Sequence, residues 1–325
     1  MKIVDAWITL GLTLAAGNIA PIPSMGQETT TTSRYRYTIV DYPGSTSVCL
    51  AINTRLHVIC DAQFNQQLPY VYDAASRRIT LPAVAPLAGW SASAFGINDS
   101  DTVVGYVYPP DDSIENGFVV TKNGEYQEFS VPWAAYTEPR GINNRGVITG
   151  TAFFNGPGSA GFIYDPEAAS YTEVLPSAYT ETVGITSDGQ VVGTVYLEGG
   201  ASGPGTPAGQ YGYLRAASGS VIYFRINGVD TYARGISDEG QIVGYFGALP
   251  FPQVTGFVTD VKDLHSSKQP AIGFVALAIS ARNQLQIPGA FGTLPQGISI
   301  EGVVSGAFID GAGNPHGFTA KPKNE

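Results

Sequence analysis

Residues 96–105 read Gly-Ile-Asn-Asp-Ser-Asp-Thr-Val-Val-Gly, and related ten-residue phrases recur along the chain. The six copies start at Ala51, Gly96, Gly141, Gly184, Gly235 and Gly297. Their separations are 45, 45, 43, 51 and 62 residues, a period close to that of four-stranded propeller blades and too long for leucine-rich or ankyrin repeats. Because the copies run through most of the 325 residues, they predict one all-β domain.

Each copy predicts two strands joined by a polar turn, in which Asn or Ser comes first and Gly fourth, as in a type I turn with a glycine bulge. The turn of the second copy contains the glycosylation sequon Asn98-Asp99-Ser100, which its position would leave accessible. A third strand is expected at each Gly-aromatic pair, and a fourth strand ends near Pro. The Gly-aromatic pairs are Gly117-Phe118, Gly161-Phe162, Gly212-Tyr213, Gly273-Phe274 and Gly317-Phe318. Insertions at residues 197–210 and 246–271, between the second and third strands, mark a binding face or are tolerated slack.

The two ends of the chain predict how the units close. Residues 37–43 resemble a fourth strand that lacks its first three, whereas the last copy ends after its third strand, near Phe318. An N-terminal strand that completes the last unit would remove the exposed edge of an open sheet. The sequence therefore predicts a six-bladed β-propeller of four-stranded blades over residues 35–322, closed by the N-terminal strand joining the C-terminal blade.

The N-terminus predicts export. Lys2 precedes an apolar stretch at residues 6–16, which is too short to cross a bilayer and is followed by small residues. Residues 1–26 are therefore interpreted as a signal peptide, and the Thr-rich residues 27–34 as a flexible lead-in. A secreted, extracellular protein without a membrane partner is expected. The formal net charge of −10 at pH 7, with no cluster of Lys or Arg, argues against nucleic acid as a partner.

The two cysteines, Cys49 and Cys60, lie on either side of the turn in the first copy. A tight turn at Thr54 and Arg55 would bring them nearly opposite each other on adjacent strands. Secretion would supply an oxidising compartment. We therefore expect a cross-strand disulfide.

The repeated phrase followed by a Gly-Phe pair resembles the HAF-type extracellular repeat family of predicted propellers. Residues 314–318, Asn-Pro-His-Gly-Phe, keep the histidine of the family pattern, although only this copy has it. The resemblance covers about residues 35–320. It implies secretion and a propeller, and it implies no particular activity.

Positions that differ among the copies are the candidates for function, because constant positions are structural. We call the first residue of each copy its anchor. The residues one before the anchor are Leu50, Phe95, Arg140, Val183, Arg234 and Gln296, and those three before it are Val48, Ser93, Glu138, Glu181, Tyr232 and Leu294. Strand alternation places both sets on one side of the first strand. Since Arg and Glu are rarely buried unless paired, the polar members need partners or a wet cavity at the mouth of a channel.

We expect Arg140, Arg234 and Tyr232 to polarise an oxygen of a bound ligand, with Glu138 or Glu181 moving a proton. The alternative is that Glu138 pairs with Arg140, and Glu181 with Arg234, as staples between neighbouring blades. Further ligand contacts are expected from Ser93, Gln296 and an aromatic rim with a nearby carboxylate. The rim residues are Trp90, Trp133, Tyr136, Tyr179 and Asp230, unless they wedge neighbouring blades.

The sequence contains no Gly-x-Ser-x-Gly elbow, phosphate loop, dinucleotide fingerprint or His-Glu-x-x-His motif. The three histidines, His57, His265 and His316, fall in different parts of different repeats, so neither a metal site nor a cofactor is expected. Two functions stay open. One is a cofactor-free enzyme acting on a small organic ligand, either a cyclase or cycloaddition enzyme or a lyase. Fungal secreted propellers that catalyse hetero-Diels-Alder additions are similar in architecture, by analogy alone. The other is a non-catalytic extracellular protein that binds a saccharide or a surface partner, or is purely structural.

Overall fold

The computed structural model describes residues 28–29, 34–63, 67–82, 84, 89–111, 113–175, 179–199, 207–247, 254–266 and 274–323. Nearly all regular structure in these ranges is β-strand, so the chain is all-β, as predicted. The expected signal peptide lies outside the described residues. Within the expected flexible lead-in, β1 (Glu28–Thr29) pairs with β2 (Tyr35–Ile39), because the edge of β2 offers free backbone hydrogen-bonding groups. No helix in the described ranges is long and apolar enough to cross a membrane.

In the described ranges, the remaining strands fall into six consecutive units that each start with a repeat copy. Unit 1 contains β3 (Ser47–Ile52), β4 (His57–Gln63), β5 (Gln67–Asp73) and β6 (Arg78–Thr80). Unit 2 contains β7 (Ser91–Ile97), β8 (Val103–Tyr108), β9 (Asn116–Val120) and β10 (Tyr126–Phe129). Unit 3 contains β11 (Tyr136–Ile142), β12 (Ile148–Phe153), β13 (Ser159–Asp165) and β14 (Ser170–Val174).

The second half of the chain continues this order. Unit 4 contains β15 (Tyr179–Ile185), β16 (Val191–Leu197), β17 (Gly209–Arg215) and β18 (Val221–Ile226). Unit 5 contains β19 (Thr231–Ile236), β20 (Gln241–Phe246) and β21 (Thr255–Asp260), then α1 (Val261–Ser266), β22 (Phe274–Leu277), a short 3-10 turn (Ala281–Asn283) and β23 (Gln284–Leu285). Unit 6 contains β24 (Gly292–Ile298), β25 (Val304–Ile309) and β26 (Pro315–Pro322).

The units pack side by side through apolar clusters. The first strands of consecutive units contact one another in chain order, and β24 of the last unit contacts β3 of the first. Ile59 of unit 1 joins one cluster with Phe118 of unit 2, and Val104 of unit 2 joins the next with Phe162 of unit 3. Units 3 and 4 are joined in one nine-stranded sheet that includes two parallel pairs, and the other strands form antiparallel sheets. The core lies between the units, in a propeller-like arrangement.

The last glycine of the repeated phrase is required by the aromatic residue of the third strand. Gly105 lies directly opposite Phe118, and a Cβ on Gly105 would come within 2.9 Å of the Phe118 ring and 2.0 Å of the Ser93 carbonyl oxygen. In unit 3, a Cβ on Gly150 would come within 2.8 Å of the Phe162 ring. Since the buried ring occupies the space of a side chain, Gly and the aromatic residue recur together.

The predicted turns are present, with a left-handed residue in fourth position. Gly146 and Gly189 have φ angles of +79° and +90° there, which glycine adopts without steric cost. Leu56 and Asp101 take the same conformation without glycine, at +60° and +59°. At Asp101 the carboxylate also lies 2.7 Å from the Nδ1 atom of His57, a contact that ties units 1 and 2 together.

The N-terminal strand lies against the last unit. β2 pairs antiparallel with β26, starting with Tyr35 opposite Pro322. Just beyond β2, the Asp41 carboxylate accepts a hydrogen bond from the Gly317 N–H and lies 2.6 Å from Nδ1 of His316. The two ends of the described region therefore meet in one sheet.

Unit 5 departs from the predicted strand order. Its third strand carries Gly256-Phe257 instead of Gly273-Phe274, with Phe257 buried opposite Gly244. Phe274 instead begins β22, which pairs in parallel with β18 at the outer edge of unit 4. The prediction was wrong because an earlier Gly-Phe pair satisfies the same packing requirement. The long insertion of this unit therefore follows its third strand.

The predicted disulfide between Cys49 and Cys60 is present. The two residues lie directly opposite each other on β3 and β4, and both are buried. A Cβ on Gly317 would lie 2.7 Å from the Cys49 sulfur, so the disulfide packs against the last unit.

The Asn98 side chain is not accessible, contrary to the expectation from its sequon. It is 7 % exposed, and its Oδ1 accepts hydrogen bonds from the backbone N–H groups of Ser100 and Thr102. Its Nδ2 donates to the carbonyl oxygen of Asn143 in the next unit, at 3.1 Å. The amide is therefore fully used in packing, and a glycan on it would disrupt these bonds.

Candidate functional site

A β-bulge in each first strand aims one side chain at the centre of the molecule. In β11, the pairing with β12 shifts between Pro139 and Gly141, so Arg140 has no partner in the ladder. The same shift occurs one residue before the anchor in β3, β7, β15, β19 and β24. A bulge interrupts the strand's alternation and re-aims the extra residue.

The six bulged residues, which we call the cavity set, are Leu50, Phe95, Arg140, Val183, Arg234 and Gln296. Together with the anchors and the Ile that follows each of them, they line a central cavity of about 110 Å³. This volume is below the range of about 300–1,000 Å³ that is usual for drug-sized ligands. The cavity is therefore suited to a small molecule or to one group of a larger one.

Arg140 is held at the cavity wall by an ion pair and an aromatic ring. Its side chain is 7 % exposed, and its guanidinium lies 4.2 Å from the centre of the Phe95 ring. Its Nη2 pairs with Glu138, two residues earlier on the same strand and 1 % exposed. Burial opposes the charge of Arg140, but Glu138, Tyr106 and Glu181 outweigh it and raise the pKa of Arg140. The guanidinium is therefore a permanent cation.

Arg234 connects units 4 and 5. Its Nη1 lies 2.6 Å from Oε2 of Glu181, and its Nη2 donates a hydrogen bond of 2.9 Å to the Tyr245 hydroxyl. The Tyr245 ring stacks on Tyr232 with ring centres 4.8 Å apart. Burial opposes the charge of Arg234, but Tyr245 and Glu181 raise its pKa. These contacts fix a second cation at the cavity wall.

Both predicted ion pairs are therefore present, and both arginines also line the cavity. The Glu138 pair lies within one strand, so only the Glu181 pair joins two units. Burial would raise the pKa of Glu181, but Arg234 and Arg140 lower it below its ordinary value. Glu181 is thus ionised at neutral pH and is a weak proton acceptor.

Tyr232 is 9 % exposed and packs in an apolar cluster with Tyr245 and Val254, outside the described lining of the cavity. Its pKa is raised by burial and by the neighbouring Tyr245 and Asp230. The hydroxyl therefore keeps its proton at neutral pH and is able to donate a hydrogen bond.

Two buried donors in this cluster have no acceptor. The Nε atoms of Arg140 and Arg234 are shielded from solvent and make no hydrogen bond with the described residues. The hydroxyl of Thr151, directly opposite Glu138, also lacks a partner there. An unpaired buried polar group costs about 1–3 kcal/mol. Retaining such groups at a cost is typical of functional sites.

The sequence prediction missed a third group of site residues, ten positions after each anchor. They lie directly opposite the residues three before the anchor, and they are Asp61, Tyr106, Thr151, Thr194, Tyr245 and Ala307. Tyr106 stacks on Phe95 with ring centres 5.4 Å apart. The signal was present in the sequence, because this position follows the last residue of each phrase and varies as much as the cavity set.

Asp61 is the most unusual member of this group. It is 3 % exposed, and it accepts hydrogen bonds from the Ala94 N–H, at 3.5 Å, and from the hydroxyl of Ser93. Burial raises the pKa of Asp61 to about 7. A carboxyl group with this pKa exchanges protons readily near neutral pH. Ser93, expected to contact ligand, is thus a partner of Asp61.

Among the described residues that line the central cavity, none belongs to the expected aromatic rim. Trp133 packs edge-on against Tyr171 of the outer strand β14, and Trp90 packs against the cluster between units 1 and 2. Tyr179 is 50 % exposed at the start of β15. These residues lie on segments that lead from an outer strand to the next first strand, so the tryptophans wedge neighbouring units.

Of the remaining predicted ligand contacts, one lines the cavity and two do not. Gln296 lines the cavity. Asp230 pairs with Arg225 at 2.7 Å, and Tyr136 forms a strand bridge with Glu115. In the described ranges, no cluster of three or more His, Cys, Asp or Glu is placed to hold a metal ion.

No protein-family model and no curated protein matches the chain. Among solved structures, it is similar to a gluconolactonase from Xanthomonas campestris, with a TM-score of 0.52, 9 % identity, and coverage of 95 % of this chain and 99 % of that chain. An oligogalacturonate lyase in complex with manganese has a TM-score of 0.45 and 11 % identity, with coverage of 93 % and 99 %. TolB from Acinetobacter baumannii has a TM-score of 0.45 and 7 % identity, with coverage of 86 % and 56 %. The first likeness agrees with a propeller-like fold, and the other two are too distant to support more.

Proposed function

We propose that the protein binds a small organic ligand at the central cavity and acts on it as a cofactor-free enzyme. The observation that carries this proposal is the pair Arg140 and Arg234. Arg140 is buried and Arg234 is 12 % exposed, both line one cavity, and each has a shielded Nε–H without an acceptor among the described residues. Bulges in the strands place two permanent cations in one small cavity. This arrangement is costly, and the fold does not need it.

The proposed chemistry is stabilisation of an oxygen that gains negative charge. The arginines and the hydroxyls of Tyr245 and Tyr232 are the donors, held in place before the reaction. Because Glu138 and Glu181 are both locked in ion pairs, Asp61 is the carboxyl group left for proton transfer. Cyclisation or cycloaddition of the hetero-Diels-Alderase type, or a lyase reaction, would fit a site that works by positioning and charge.

A non-catalytic carbohydrate- or surface-binding protein is the second candidate. The lowered pKa of Glu181 favours it, because a carboxylate that stays ionised contributes binding more readily than proton transfer. The exposed Tyr179, opposite Tyr196 at the start of unit 4, offers an aromatic surface suited to a sugar face.

We further propose a closed ring of six blades in a secreted protein of the HAF-repeat type. Closure is supported by the pairing of β2 with β26 and by the contact of β24 with β3. Export is supported by the disulfide between Cys49 and Cys60, since disulfides persist in oxidising compartments.

Saturation-transfer NMR with a mixture of small organic compounds tests the proposed function. We expect binders whose signals disappear with Arg234→Ala and persist with Arg145→Ala, since Arg145 is exposed in the turn of unit 3. Mass spectrometry of each binder after incubation separates an enzyme, which changes its mass or isomer, from a binding protein. If every binder is retained by Arg234→Ala, the central cavity is not the site.

A further inference from the structure

The four charged residues of the site are arranged with their positive ends toward the cavity. Arg140 and Arg234 line it, whereas Glu138 and Glu181 pair with them and are absent from the lining. The two carboxylates neutralise the arginines without being part of the described cavity lining. A ligand in the cavity therefore meets guanidinium groups and no carboxylate.

Most of the other cavity-set side chains are apolar. Leu50, Phe95 and Val183 of units 1, 2 and 4 complete the lining beside the arginines of units 3 and 5, together with Gln296 of unit 6. The faces of the Phe95 ring are used by the Arg140 guanidinium and by stacking on Tyr106. The cavity thus combines a cationic side with an apolar side.

The charge of the two arginines sets the chemistry of the group that binds. Their Nε atoms are shielded from the cavity, so a ligand is attracted by the two guanidinium cations as a whole. The site as a whole is formally neutral, because two arginines balance two glutamates. A monoanion leaves one excess charge there, whereas a dianion leaves two.

We propose that the ligand is a small monocarboxylate with an apolar body, with its carboxylate on Arg140 and Arg234 and its body against the walls formed by Leu50, Phe95 and Val183. This inference rests on the proposed binding function and specifies its ligand class. Guanidinium groups match the two oxygens of a carboxylate in geometry and charge. An apolar body is consistent with the Leu, Phe and Val walls, and the volume of about 110 Å³ limits its size.

The test compares 4-fluorobenzoate with 4-fluorobenzamide, which has the same shape without the charge, by ¹⁹F NMR titration of the full chain. We expect 4-fluorobenzoate to bind at least about tenfold more tightly. Arg234→Gln should remove this preference, whereas Arg145→Ala should keep it. Because Arg140→Gln removes the cation that pairs with the buried Glu138 and is at risk of misfolding, the double variant Arg140→Gln/Glu138→Gln is measured beside it.

Each result decides one question. Preference for the carboxylate that is lost with Arg234→Gln supports the inference. Equal binding of both probes overturns the ligand class and leaves a neutral-ligand site in place. A carboxylate preference that survives Arg234→Gln overturns the placement of the carboxylate on Arg234. If neither probe binds at millimolar concentration and neutral compounds also fail to bind, both the inference and the proposed function are wrong.

Discussion

The first strands lead to two sets of equivalent positions that are built on different rules. Where each first strand turns into the second, the residue two after the anchor is small, polar and buried in every unit. These residues, which we call the turn set, are Asn53, Asn98, Asn143, Thr186, Ser237 and Ser299. Three residues earlier, the cavity set mixes cationic, amide, aromatic and aliphatic side chains at equivalent bulges. The same repeat therefore keeps one position constant in character and varies the other.

The hydrogen bonds of the turn set explain why positions that are constant among the copies have a structural role. Oδ1 of Asn143 accepts hydrogen bonds of 3.0 Å from the N–H groups of Arg145 and Val147, and its Nδ2 donates one of 3.0 Å to the Thr186 carbonyl of the next unit. Ser237 accepts a bond of 3.2 Å from Gln241. Each turn needs this acceptor, so each copy supplies one. The cavity set has no such shared task, and its variation indicates function.

The largest effect is expected from removing β2, the strand through which the two ends of the described region share one sheet. Deletion of residues 35–41 removes β2 and Asp41, and leaves the β26 edge unpaired. We expect loss of cooperative unfolding, or a large fall in Tm with self-association, measured by calorimetry and light scattering. Deletion of residues 27–32, which removes only the two-residue β1, is the control. Equal Tm values for two monomeric truncations would contradict strand sharing between the chain ends.

A pH-dependent effect on stability is expected from Asp61, which lies opposite Val48. The folded pKa of Asp61, about 7, lies above the unfolded value of about 3.9, so the folded state binds the extra proton. The stabilisation is full below about pH 4 and is lost as pH rises to about 7, by about 4 kcal/mol for a shift of this size. Asp61→Asn should flatten this dependence, as measured by urea unfolding from pH 4 to 8. Parallel curves for the two proteins would show that Asp61 does not titrate there.

An intermediate effect on stability is expected at the turn set. Asn143→Ala removes three hydrogen bonds of a buried amide, so we expect a loss of about 2–3 kcal/mol of unfolding free energy. Asn144→Ala, in the exposed part of the same turn, should cost less than about 1 kcal/mol. Ligand affinity should be the same in both variants. A change in affinity with Asn143→Ala would mean that the turn set and the cavity set are not separate in function.

The smallest effect on stability is expected at the Arg234–Glu181 pair, although ligand binding should be lost there. The double variant Arg234→Met/Glu181→Gln removes both charges of one pair, and it should change the unfolding free energy by about 1 kcal/mol or less, because the desolvation cost disappears with the attraction. Ligand binding should be abolished. Arg234→Met alone leaves Glu181 without its cation and should be the less stable protein. If the double variant is as unstable as the single one, the pair is mainly structural.

Much of the fold could be predicted from the sequence because its determinants are local and repeated. The phrase beginning at Gly96 encodes a turn and two strands, and the Cys49 to Cys60 spacing follows from that turn. The strand order of unit 5 could not be predicted, because Gly256-Phe257 and Gly273-Phe274 offer the same local signal. Only packing of Phe257 over Gly244 distinguishes them.

The site was predicted in part for the same reason. Arg140 and Arg234 were identifiable because they break a repeated position. The role of Trp133 was not, because its contact with Tyr171 depends on how neighbouring units meet. The buried state of Asp61 likewise depends on Ala94 of the next unit. Sequence gives the position of a side chain in its strand, and the packing between units decides its chemistry.

The bulges also have a consequence for how such a protein diversifies. A bulged residue contributes no rung to the ladder, so replacing it leaves every neighbouring backbone bond intact. Mutation is therefore able to change the lining one unit at a time, and most intermediates on the way to a new lining would still fold. The six bulged positions accept different side chains while the strand pairing stays the same. A library randomised at those six positions alone should yield folded proteins with altered ligand preference, and descendants of one ancestral repeat array should differ there first.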